Sequence, residues 1–88
     1  MKAKADFVVR NVLDEYVLMP TNDNIGKFDG TVVLNEVSAF IWNQLQTETT
    51  EDAVIEAILG EFDVDRETAS GDLKILLARF AEMGLLEV

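Results

Sequence analysis

The sequence predicts an α+β domain, with a small, mostly antiparallel sheet of two or three strands first and three helices after it. Two observations carry that prediction. Short β-branched or aromatic runs, "FVV" at 7–9, "YVLM" at 16–19 and "TVVL" at 31–34, alternate with turn residues up to about residue 35. Beyond that point apolar residues recur at helical spacing, beginning inside "VVLNEVSAFIWNQL" at 32–45.

The strands are expected at about 7–10, 15–19 and 31–34. Between the last two lies "PTNDNIGKFDG", rich in Asx and Gly residues that favour turns, so it reads as a long hairpin connection. Asn35 is a good N-cap for a first helix over about 36–46, with Val37, Ile41 and Leu45 inward and Phe40 and Trp42 flanking them. Glu36, Ala39, Asn43 and Gln46 fall on the opposite side. Trp42 reads as core.

A second helix is expected over about 50–60, starting near Thr49 or Thr50. Thr49 with Asp52 has capping-box spacing, Val54, Ile55, Ile58, Leu59 and Phe62 form the apolar face, and Gly60 ends it. The third and longest, about 66–83, starts after Asp65 as N-cap. Its core stripe is Ala69, Leu73, Leu76, Leu77 and Phe80, and Gly84 stands in the C′ position with Leu85 and Leu86 folding back onto the last turn.

Length sets the outer limits. Eighty-eight residues, 49% hydrophobic and 27% charged, suit one domain over 1–88 with a modest core. No apolar run approaches the length of a membrane span, and "MKAKADFVV" has too short an apolar part for a secretory signal. The chain has no cysteine and no histidine, which removes disulfides, thiol nucleophiles, thiolate metal sites and the usual general base near neutral pH. The expected location is cytoplasmic. A formal charge of −10 argues against a phosphate-binding surface.

Motifs that would announce chemistry fail on inspection. "DVDRET" at 63–68 opens like a calcium loop, but Thr68 stands where glycine belongs and Lys74 where the closing glutamate belongs. No phosphate-cradling glycine loop is present. Ser70, in "ASGDL", lies inside a helix and not at the helix start that a phosphopantetheine carrier requires. No cofactor or metal is expected, and the chain reads as a non-enzyme.

Two features suggest binding. The strand at 31–34 either lies at the sheet margin, offering unpaired N–H and C=O groups to an added strand, or is paired on both sides. On the third helix, Thr68, Asp72, Ile75, Arg79 and Met83 line up away from the leucine stripe. That second stripe either packs on the sheet or faces a groove between helix and strand.

Leu34-Asn35-Glu36, Ala39, Ile41-Trp42, Leu45, Ala69, Asp72, Leu76, Phe80 and Gly84-Leu85-Leu86 together resemble the PqqD-like family, over nearly the whole chain. The resemblance implies a three-stranded antiparallel sheet followed by three helices, winged-helix-like. It implies a non-catalytic role, capturing the leader of a ribosomally made precursor peptide and presenting it to a modifying enzyme, often of the radical S-adenosylmethionine type. The leader would add as a strand, and the expected peptide-binding residues are Thr31, Val32, Val33, Leu34, Asp72, Ile75, Arg79 and Met83. The rival readings are DNA recognition through the third helix, disfavoured by the acids Glu48, Glu51, Asp52, Glu56 and Glu61 ahead of it, and a plain interaction domain. A monomer or a weak homodimer through the strand edge is expected.

Overall fold

The computed structural model describes residues 1–4, 7–20 and 32–87. The elements run β1 (Lys2–Ala3), β2 (Phe7–Val12), β3 (Glu15–Pro20), β4 (Val32–Leu34), α1 (Glu36–Gln44), α2 (Glu51–Glu61), α3 (Arg66–Glu82) and β5 (Leu86–Glu87). The fold is α+β, with the antiparallel order β2-β3-β4 in the main sheet. Apart from Pro20, which closes β3, the long hairpin connection lies outside the described residues, and so does Thr31.

Period-2 alternation decides which side of the sheet meets the helices. Phe7, Leu18 and Leu34 are buried, with Val9, Tyr16 and Val32 packed against the same core. Val8, Val12, Met19 and Val33 face outward and are exposed. β2 turns into β3 through two residues, Leu13 and Asp14, whose φ angles are +49° and +68°. Positive φ at both positions is the type I′ geometry that fits the twist of a hairpin and favours Asn-Gly. Leu13 is 93% exposed, so no packing offsets its left-handed backbone. Left-handed geometry costs an ordinary residue roughly 1–2 kcal/mol, so Leu13→Asn with Asp14→Gly should raise stability by about 1–2 kcal/mol. An unchanged urea midpoint in the double variant would contradict that.

The helices begin where local chemistry starts them. The Asn35 side chain accepts from the Ser38 N–H (2.8 Å), the Thr50 hydroxyl from the Ala53 N–H (3.2 Å), and the Asp65 carboxylate from the Thr68 N–H (2.8 Å). The cap of α2 is thus Thr50 and not Thr49, whose N–H donates instead to the Met1 carbonyl. Gly60 does not end α2 either. The helix passes through it to Glu61 and breaks at Phe62, where φ is −120° and ψ 152°. α1 is shorter than expected, ending at Gln44, and Ala39, expected outside, is buried. Being covered by both the sheet and α2, α1 buries a wider arc than its aliphatic stripe.

The Thr68 backbone N–H, and next its hydroxyl, hold the Asp65 carboxyl below its usual value. A depressed folded-state pKa gives stability that is present above the unfolded pKa and lost as pH falls through the folded one. Asp65→Asn keeps a capping oxygen but removes the charge. It should therefore flatten the acid limb by lowering stability at neutral pH, while stability below the folded-state pKa stays almost unchanged. Urea midpoints from neutral pH down through the acid limb check this.

Ala69, Leu73, Leu76, Leu77 and Phe80 all point into the core, where Trp42 meets Phe80 edge-to-face at 5.3 Å. α3 closes in a Schellman motif. Gly84 has φ +73°, its N–H donates to the Ala81 carbonyl (3.1 Å), and the Leu85 N–H donates to the Phe80 carbonyl (2.9 Å). Leu85 folds back and is fully buried, and Leu86, half-buried against the same core, opens β5. β5 pairs with β1 in a small second sheet, Ala3 opposite Leu86, and the Ala3 N–H donates to the Leu45 carbonyl at 2.8 Å.

Candidate functional site: the β4 edge and the groove beside α3

β4 is the last strand of its sheet. Among the described residues it pairs only with β3, Tyr16 opposite Leu34, Val17 opposite Val33, and Leu18 opposite Val32. The register tells which backbone groups remain open. The two-residue turn closes on Val12 and Glu15 as a hydrogen-bonded pair, and antiparallel pairs alternate between bonded and non-bonded. Counting along β3, Glu15, Val17 and Met19 turn their N–H and C=O toward β2, and Tyr16 and Leu18 turn theirs toward β4. Leu34 and Val32 are therefore the bonded partners of β3. Val33 alone within β4 directs both backbone groups away from the sheet, and its side chain is 57% exposed.

Beside that edge lies a groove in two continuous parts. One, of about 310 Å³, runs between β4 and the C-terminal half of α3 and includes Val32, Val33, Leu34, Phe80 and Met83. The other, of about 240 Å³, continues past the end of β4 between α1 and α3 and includes Val37, Ile41, Asp72 and Ile75. Asn35, Ser38, Leu76 and Arg79 line both parts. The floor is apolar, with Leu76 and Phe80 buried, and Ile75 (64% exposed) and Met83 stand open on the α3 side. Asp72 and Arg79 are exposed on the same helix, and neither joins an ion pair among the described residues.

The structure thus brings Val32, Val33, Leu34, Asp72, Ile75, Arg79 and Met83 to one groove, with Thr31 outside the described residues. Leu34 contributes floor only, since its side chain is buried and its backbone faces β3. The second α3 stripe does not pack on the sheet at Ile75, which is open. Asn35 and Ser38 were not assigned from sequence as lining residues. Their signal is position, because an N-cap directly after an edge strand, and the residue one turn on, must border whatever that strand borders.

No group of three or more metal-ligating side chains occurs among the described residues. Nor is any described helix long and apolar enough to cross a membrane.

Residues 15–86 match the family model described as coenzyme PQQ synthesis protein D (PqqD). A search of curated proteins gives no significant match. Two solved structures share the fold from end to end. TbiB1, solved in complex with the TbiA(beta) leader peptide, is 30% identical, with a TM-score of 0.77 over 99% of this chain and 95% of that one. Lasso peptide synthetase B1, complexed with the leader peptide, is 21% identical, with a TM-score of 0.74 over 96% and 93%, a likeness of fold. With a family match over most of its length on a fold shared with these two, the chain belongs to the PqqD family.

Proposed function

We propose that this protein captures the leader of a ribosomally made precursor peptide as a strand added along β4, and presents it to a modifying enzyme without doing chemistry itself. The observation that carries this reading is the open backbone of Val33 at a sheet edge beside a groove with an apolar floor. Strand addition draws affinity from main-chain hydrogen bonds, and the pockets for alternate side chains supply selectivity. Both structural neighbours hold a leader peptide, which supports the same reading here. Capture would take place in the cytoplasm, where precursor peptides are made. The modifying enzyme would seize the leader-bound form, whether its chemistry is of the radical S-adenosylmethionine type or another. A second copy of the chain would compete for the same edge, so peptide should dissolve any edge-paired homodimer.

Fluorescence anisotropy of labelled synthetic leaders, taken from whatever short peptide genes sequencing finds beside this one, tests the proposal. Saturable binding is expected for at least one such leader. Random duplex DNA should not bind, because a surface of charge −10 releases no counterions from phosphate. Failure of all the leaders, or DNA binding that falls steeply with salt, would overturn it.

A further inference from the structure

Across α1 from the groove is a recess of about 180 Å³, among whose lining residues are Tyr16, Glu36, Phe40, Asn43, Glu61 and Phe62. On α1, Glu36, Phe40 and Asn43 lie on the opposite side of the helix from Ser38 and Ile41, so this recess is separate from the peptide groove. Three aromatic rings, Tyr16, Phe40 and Phe62, form part of its wall. Phe40 and Phe62 meet edge-to-face, 5.3 Å between centroids at 89°, and both rings and Tyr16 are half-buried.

Its rim is anionic, and one of its charges is poorly placed for the fold. Glu36 sits in the first turn of α1, where the helix dipole favours a carboxylate. Glu61 is the last residue of α2, where the dipole disfavours one, and that last turn holds no basic residue. Neither carboxylate joins an ion pair among the described residues. Aromatic faces, two carboxylates and a negative helix end all favour a cation. Without a third ligating side chain in the group, a metal ion is poorly served.

We propose that this recess receives the guanidinium of an arginine presented by a partner protein. Arginine fits better than lysine because its planar head stacks on a ring while its forked donors reach a carboxylate at the edge. The net charge of −10 steers basic surfaces toward the protein and raises the rate of encounter.

The test is an NMR titration of the whole chain with N-acetyl-arginine methylamide, with the lysine and citrulline counterparts, and with agmatine. Saturable shifts confined to Tyr16, Phe40, Phe62 and Asn43 are expected with capped arginine, weaker ones with lysine and none with citrulline. Glu61→Gln, an exposed substitution that leaves the fold intact, should weaken capped-arginine binding about threefold or more and leave leader binding in the groove unchanged. The proposal is overturned if capped arginine gives no saturable shift up to about 50 mM, if citrulline matches it, or if agmatine alone binds. Shifts confined to the β4 groove would overturn it as well.

Discussion

Val33→Pro is expected to leave the fold standing and remove most peptide affinity. Proline deletes the one N–H of β4 that points away from the sheet, and its ring fills the space an incoming strand must occupy. The peptide carbonyl opposite then lacks a donor, and the neighbouring contacts are pushed apart. A lost backbone hydrogen bond with an unpaired buried acceptor is worth about 2–3 kcal/mol, or roughly 30- to 150-fold in Kd. Stability should change little, because proline is tolerated on an edge strand when its nitrogen faces solvent. Val32→Pro is the informative control, since that N–H is bonded to β3 and its loss should destabilise the protein itself. Titration calorimetry for binding and urea unfolding for stability separate the two. If Val33→Pro unfolds the chain while Val32→Pro does not, the assignment of backbone directions is wrong.

The second large effect is expected at Ile75. This residue is exposed, so Ile75→Asp should change folding stability by no more than about 0.5 kcal/mol. In the complex it would lie against the added strand, and burying a carboxylate there costs more than losing the aliphatic contact alone. Asp72, one turn away on the same wall, adds like-charge repulsion. Together these should weaken leader binding about 10- to 50-fold, or some 1.5–2.5 kcal/mol. Glu56→Ala is the comparison. Glu56 is on α2, outside the groove, in a surface pair with Arg66, and its loss should alter binding by less than about twofold. Equal effects from the two substitutions would remove the groove from the account.

Much of this architecture was legible because it is local. A cap such as Asn35 or Asp65 acts on a backbone N–H three residues ahead, so the residue and its neighbours are the whole signal. The leucine stripe of α3 and the glycine that ends it are equally short-ranged. What escaped is what depends on distant partners or on exceptions. β1 and β5 are two residues each and carry no period; Ala3 and Leu86 pair only because α3 delivers the C-terminal end beside the N-terminal one. The Leu13-Asp14 turn was hidden because neither residue is the Asn or Gly that such geometry favours. Gly60 read as a stop, yet an exposed glycine costs a helix only about 1 kcal/mol, and packing through Ile58 carries α2 past it.

The site was half legible. Periodicity singled out Ile75 as an apolar residue on the wrong side of its helix, and it is open in the structure. The strand at 31–34 could equally have been an inner one on sequence alone. Its place at the margin follows from sheet order, which no local pattern encodes. The special status of Val33 needed one fact more, the length of the β2–β3 turn, because a two-residue loop fixes which pairs are bonded all the way across the sheet.

Hydrogen exchange at single amides of β4 tests that status most directly. In the free protein the Val33 N–H should exchange near the rate of an unstructured amide, while those of Val32 and Leu34 are protected by β3. Adding a bound leader should then slow Val33 and leave its two neighbours almost as they were. If Val33 is already as protected as Val32 and Leu34 before any peptide is present, the edge is not open and strand addition along β4 does not occur.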